Sequence, residues 1–156
     1  MIKLTRIDDR LVHGQVAFTW VPALGADCLL VANDKVAKDE FQKMTLTLAK
    51  PANAKLLIKS IADAATFLND ERSGKMKVLV IVNSITDAAA LAAMVGEIKS
   101  VNFGGIRSKD GSRLISKAIA ITGDDVPVIK SMLAKGIELE IRQVPTDSKQ
   151  AVENLI

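Results

Sequence analysis

The sequence predicts a three-layer α/β/α protein built on an open, mostly parallel sheet of about six or seven strands. Three observations carry that prediction. Short apolar, β-branched runs alternate with stretches of helical periodicity almost from end to end. Aromatic residues make up 3% of the chain, with no Tyr and one Trp, so the core must come from Ala, Val, Leu and Ile, which suits helices laid on an aliphatic sheet. At 156 residues, 49% hydrophobic and 25% charged, the chain has ordinary globular composition and can bury a core without disulfide or metal staples. Residues 1–156 are therefore expected to form a single domain.

Residues 2–7 (IKLTRI) predict a first strand that stops at Asp8–Asp9. After a turn through His13, residues 14–24 fit a helix, ended by Pro22 and Gly25. Residues 26–31 (ADCLLV) form a continuous apolar run, the pattern of a buried parallel strand. Asn33–Asp34 end it and open a helix over 36–49, with Ala37, Phe41, Met44 and Leu48 at helical spacing. A strand over 55–58 precedes a helix over 61–71, with Ser60 and Asp63 in a capping arrangement. Residues 77–82 (KVLVIV) give the strongest strand signal and must be central. Thr86 and Asp87 open an alanine-rich helix that ends near Gly96, and residues 98–103 make the next strand, closed by Gly104–Gly105. Residues 113–121 alternate as one strand. No helix separates it from the strand before, so one of the two is a candidate antiparallel strand. A helix over 125–135, a strand over 137–144 and a short helix within 147–156 complete the chain.

Composition excludes several classes. Net charge is +3, no segment is a dense basic run, and aromatics to stack bases are scarce, so no nucleic-acid partner is expected. The mild positive bias suits an anionic protein partner or a membrane surface. The lone Cys28 lies in an apolar run and reads as a buried thiol, which points to the cytoplasm. No signal peptide and no window long enough to span a bilayer is present, so a soluble protein is expected. One His and one Cys are too few for a metal centre, and no cofactor is expected. Neither nucleotide-binding glycine fingerprint nor a G-x-S-x-G elbow appears.

The candidate site is RIDDRLVHGQ, residues 6–15, which holds the only histidine, His13. It lies between the first strand and the first helix, at the sheet edge where open α/β folds bind ligands. A helix start offers unpaired N–H groups to an anion, and Arg10 adds a planar fork that matches phosphate oxygens. Gly14 lets a bulky group approach the backbone, and imidazole is a competent nucleophile near neutral pH. The constellation therefore suits a histidine that carries a phosphoryl group. Asp8 or Asp9 is placed to hold the second ring nitrogen. The competing reading is structural: the two aspartates cap a helix and Arg10 pairs with them. Arg6 and Gln15 support the same loop, and Asn33, Asp34, Asn102 and Gly104 sit at other strand ends as rim or docking residues.

The run Arg6-Ile7-Asp8-Asp9-Arg10-Leu11-Val12-His13-Gly14-Gln15-Val16 closely resembles the signature loop of the IIB components of the mannose/fructose/sorbose class of bacterial sugar phosphotransferase systems, a class that includes N-acetylgalactosamine types. Residues 31–37 resemble the family's second strand and turn, residues 101–105 its later Asn-x-Gly turn, and residues 136–145 its closing strand. The resemblance implies that His13, through Nδ1, accepts a phosphoryl group from a phosphohistidine on a IIA protein and passes it to a sugar carried by membrane IIC and IID subunits. The family's loop arginine falls on Arg10. It also implies a cytoplasmic protein held at the inner face of the plasma membrane through those subunits. The turn after Gly105 departs from the family: Ile106-Arg107-Ser108 stands where the family has Asn-Met, and Arg107 reads as a solvated loop residue. As no IIA-like segment precedes the motif, a separate IIA is expected. Two further readings stay open: a regulatory IIB-like binding module without turnover, and a small-molecule phosphatase or mutase using phosphohistidine. Phe18 and Trp20, close to the loop, read as core. The sugar is not legible, and a homo-oligomer stays open.

Overall fold

A computed structural model describes residues 1–156. Nine strands are present: β1 (Ile2–Asp8), β2 (Cys28–Ala32), β3 (Lys55–Lys59), β4 (Val78–Val82), β5 (Ser100–Gly105), β6 (Ser112–Ser116), β7 (Ile119–Thr122), β8 (Glu138–Ile141) and β9 (Gln150–Ala151). Seven form the main sheet in the order β3-β2-β4-β1-β5-β8-β9, all parallel except β9, which runs antiparallel to β8. The α-helices are α1 (Val21–Leu24), α2 (Glu40–Ala49), α3 (Ile61–Asn69), α4 (Ile85–Met94) and α5 (Asp125–Ala134).

The predicted three-layer class is the observed one, and β4 shows why. Its five residues are apolar and fully buried. Val78, Val80 and Val82 face a core shared with α3, α4 and α5, while Leu79 and Ile81 face a second core with Trp20, Val21, Val36 and Leu46. Only a strand covered on both faces can be apolar at every position. Side chains punctuate the helices: Ser60 accepts from Asp63 N at 3.1 Å, Ser84 from Asp87 N at 3.1 Å and Asp39 from Gln42 N at 3.1 Å. Each such cap stabilises its helix by about 1 kcal/mol.

Four expectations give way. The predicted helix over 14–24 forms, but with a π-helical turn at Val16–Trp20, and Pro22 falls in the first turn of α1 rather than ending it. Proline is tolerated there because its missing N–H would have had no partner. Gly25, at φ +63°, makes the left-handed stop. The predicted strand 113–121 is a hairpin, β6 and β7, turning at Lys117–Ala118; it forms a separate two-stranded sheet that is hydrogen-bonded to Ile106, directly after β5. The antiparallel strand of the main sheet is instead β9, in the segment expected to be a helix, of which only a 3-10 turn at Val152–Asn154 forms. Finally, the helix expected over 36–49 divides at Asp39 into a 3-10 turn and α2, whose only buried residue is Leu46. Phe41, Met44 and Leu48 are 76%, 62% and 83% exposed, and Phe18 is 78% exposed. Periodicity reveals that a helix has an apolar face, not which way that face points.

Candidate functional site

The chain after β1 feeds a helix on one face of the sheet, while the chain after its neighbour β4 feeds α4 on the other. The loop 9–13 thus lies at the crevice where connections part to opposite faces, the usual ligand position in an open sheet. The loop folds back tightly: Leu11 N donates to the Asp8 carbonyl at 2.9 Å, and Leu11 takes φ +59°. A left-handed leucine costs roughly 1–2 kcal/mol. Burial of the Leu11 side chain offsets that cost.

Of the two candidate aspartates, Asp8 is the one on the histidine. His13 Nε2 lies 2.8 Å from Asp8 Oδ2. An ionised carboxylate only accepts hydrogen bonds, so Nε2 carries the proton and a neutral ring has its lone pair at Nδ1. Asp8 is almost fully buried and also accepts from Arg6 Nη2 at 3.1 Å and from Arg10 N at 3.1 Å. Burial alone would push its carboxyl up; the His13 hydrogen bond, the Arg6 charge and the Arg10 N–H outweigh that and hold it below its ordinary value of 3.8. Asp9 turns away. Its Oδ2 accepts from Arg107 N at 2.9 Å and Nε at 3.0 Å, and its own N donates to the Gly105 carbonyl at 2.9 Å. Asp9 therefore ties the loop to the end of β5, and Arg107, although 73% exposed, is its partner rather than a free solvated residue.

Arg10 presents its guanidinium outward. The side chain is 53% exposed and its nearest carboxylate contact is long, 4.0 Å. It borders two clefts. One, of about 730 Å³, includes Asp34, Asn83, Phe41 and Asp87. The other, of about 440 Å³, includes Gln15, Gly104, Gly105, Arg107 and Lys117. The first turn after His13 starts with Ala17 N donating to the His13 carbonyl at 2.9 Å. The N–H groups of residues 14–16 precede that bond, as the unpaired donors of any helix start do. Gly14 has an ordinary φ, and a Cβ there would meet only Phe18 Cδ2 at 3.9 Å, so the protein's own packing does not demand glycine.

The other rim candidates divide. Asp34 is exposed and caps α3 by accepting from Ile61 N at 2.8 Å. Asn33 is buried, with its Oδ1 accepting from Val36 N at 2.9 Å. Asn102 is fully buried, so it is neither rim nor docking surface, whereas Gly104, also buried, still lines the smaller cleft. Arg6, expected to support the loop, is fully buried on β1 and reaches the loop through its contact with Asp8. Burial acts to lower its pKa, against the raising influence of Asp8 and Glu140. It donates from Nη1 to Asn102 Oδ1 at 2.8 Å, directly over Gly104, where a Cβ would fall 2.0 Å from Arg6 Cζ. Sequence reasoning missed Glu140, Arg142 and Lys117 around the site, while Trp20 is the core residue it was expected to be. The signal for the first two was available: Glu138, Glu140 and Arg142 alternate along a strand, so they share one face.

With this geometry, a buried carboxylate holds one ring nitrogen of a lone histidine at a helix start, three residues after a half-exposed arginine. Comparisons with known proteins place the whole chain among relatives of one kind. Residues 2–156 match the family model described as PTS system sorbose subfamily IIB component. A probable phosphotransferase enzyme IIB component of Streptococcus pyogenes serotype M6 is 37% identical, covering 100% of this chain and 99% of its own length. The mannose-specific EIIAB component of Escherichia coli K12 is 33% identical over 100% of this chain but only 48% of its own length. The crystal structure of the IIBSor domain of the Klebsiella pneumoniae sorbose permease superposes with a TM-score of 0.93 at 26% identity, covering 99% of this chain and 94% of that one.

Proposed function

This chain belongs to the sorbose-subfamily IIB components of the phosphotransferase system, which are sugar-specific phosphotransferase components, and we propose that it acts there as a phosphocarrier on His13. In this reading a IIA protein or domain presents a phosphohistidine, and the Nδ1 lone pair of His13 attacks its phosphorus. The donor's P–N bond breaks and the donor imidazole leaves with the bonding pair. In a second encounter, a sugar hydroxyl held by membrane IIC and IID subunits takes the phosphoryl group from His13, and the hydroxyl proton passes to solvent.

The 2.8 Å contact from Nε2 to Asp8 carries this reading, because it leaves Nδ1 as the nucleophile. As the P–N bond forms, the ring becomes cationic, and the buried Asp8 carboxylate balances that charge without taking the proton. Transfer between two imidazoles is nearly isoenergetic, so the protein must mainly position the group and stabilise its equatorial oxygens. Arg10 and the N–H groups of residues 14–16 supply that stabilisation, with Gly14 leaving room for it. No helix is long and apolar enough to cross a membrane; the protein would work at the inner face of the membrane by docking to IIC and IID.

The test is reconstitution with phosphoenolpyruvate, the general phosphotransferase proteins, a mannose-class IIA and membranes bearing IIC and IID. Labelled phosphate should reach this chain and then the sugar. A fully charged set of such IIA proteins that leaves the chain unlabelled would overturn the proposal.

A further inference from the structure

Arg6, Asn102 and Glu140 stand side by side across three adjacent strands. In the parallel register, Arg6 of β1 is opposite Asn102 of β5, which is opposite Glu140 of β8. All three are buried, on a sheet whose neighbouring positions are aliphatic. A row of buried charge is costly, and aliphatic residues of similar volume commonly serve stability as well or better.

Yet the row is fully connected. Arg6 Nη1 donates to Asn102 Oδ1 at 2.8 Å and to the Arg142 carbonyl at 3.1 Å. Asn102 Nδ2 donates to Glu140 Oε1 at 3.2 Å. Arg142 returns a two-pronged pair to Glu140, at 3.0 Å from Nε and 2.9 Å from Nη2. Trp20 closes the arrangement from the helix side, with the Arg6 and Arg142 guanidinium carbons each 5.1 Å from its ring centre and its own N–H donating to the Gln143 carbonyl at 2.9 Å. Gly104 allows the Arg6 guanidinium to lie directly against the backbone. The two arginines balance Glu140 and Asp8, and the row's free end is the Arg6 Nη2 contact to Asp8 Oδ2, the oxygen that also holds His13.

We propose that the Glu140–Arg142 pair, acting through Asn102 and Arg6, is a positioning device that locks the Asp8 carboxylate onto His13 Nε2 and thereby keeps Nδ1 available as the acceptor. Glu140, Arg142 and Asn102 are positioning residues: their hydrogen bonds run to one another and to Arg6, not to His13. They fix the plane of the Arg6 guanidinium, and that plane fixes Asp8. Loosening any link lets the carboxylate swing and the imidazole proton exchange between its two nitrogens. The catalytic consequence rests on the phosphocarrier reading above; the effect on the His13 proton does not.

His13 is the only histidine, so ring-15N labelling reports on this residue alone. The wild type should show an Nε2-protonated ring with a downfield, slowly exchanging Nε2 proton. In Asn102→Ala and Glu140→Gln that proton should broaden or vanish, and the ring shifts should move toward a mixture of tautomers. The maximal single-turnover phosphorylation rate should fall about tenfold, the usual scale for residues behind a functional group, with the half-saturating donor concentration unchanged. Glu140→Gln keeps an oxygen facing Asn102 and serves where Asn102→Ala does not fold. Variants with lowered melting temperature but an unaltered His13 spectrum and rate would overturn the proposal, leaving the row a purely structural device. Loss of the Nε2 proton in the variants supports it even if charged IIA fails to phosphorylate the wild type, a failure that would count against the phosphocarrier reading alone.

Discussion

Replacing Gly104 with alanine should damage the protein out of proportion to one methyl group. The new Cβ would fall 2.0 Å from Arg6 Cζ, 2.3 Å from Nη1 and 2.4 Å from Nε. Non-bonded carbons rest at about 3.5–4 Å. The guanidinium must therefore retreat by about 1.5 Å or more, and it has no exposed surface to retreat into. That displacement breaks the 2.8 Å bond to Asn102 and the 3.1 Å contact to Asp8 together. Stripping partners from a buried ion costs about 3–5 kcal/mol. At roughly 2–4 °C of melting temperature per kcal/mol for a chain of this length, a loss on the order of 10 °C is expected. Thermal melts of Gly104→Ala against wild type give the answer directly. A melting temperature within about 1 °C of wild type, with Arg6 still bonded to Asp8, would refute the reasoning, because it would mean that the guanidinium does not need the bare glycine backbone.

Arg10→Ala should leave the melt unchanged within about 0.5 kcal/mol, as the side chain is half exposed and scarcely paired, yet slow phosphorylation by about a hundredfold, as loss of one preorganised donor does; an unchanged rate removes it from the mechanism. Gly14→Ala should melt like wild type or slightly higher, since a Cβ fits there, but should slow phosphorylation because the methyl intrudes on the group's approach; equal rates would dissociate Gly14 from the site. Asp8→Asn should destabilise the protein at pH 7 by about 3 kcal/mol by leaving Arg6 without its counter-charge. Asp8 has a depressed folded-state pKa, so its contribution is complete above the ordinary value of 3.8 and is lost as pH falls through the depressed range. The gap between wild type and Asp8→Asn in denaturant melts should therefore narrow in acid, and a gap constant with pH would contradict the assignment.

The parts of the fold legible in the sequence are those where local pattern and tertiary environment agree. Val78–Val82 is apolar throughout because both faces are covered, and no other reading fits. The loop before His13 was legible because residue types of one chemistry crowd a strand-to-helix turn, although the pattern could not choose between Asp8 and Asp9. That choice depends on strand parity: Asp8 shares a face of β1 with Arg6, whereas Asp9 has left the strand and meets Arg107 just past the end of β5. The β6–β7 hairpin was hidden because alternation continues through Lys117–Ala118 without a turn glycine or proline. Phe41, Met44 and Leu48 have the spacing of a core stripe and nevertheless face out. Alternation shows that Glu140 and Arg142 share a face of their strand, but not that the face is covered; they are recessed because the register with Asn102 and Arg6 completes their hydrogen bonds, a long-range fact.

The central claim is that His13 itself carries the phosphoryl group. The direct measurement is the intact mass of wild type and His13→Ala after incubation with a charged mannose-class IIA, followed by acid and base treatment. Wild type should gain one phosphoryl group that is lost in acid and kept in base, and His13→Ala should gain none. An adduct of equal extent on His13→Ala would contradict the account.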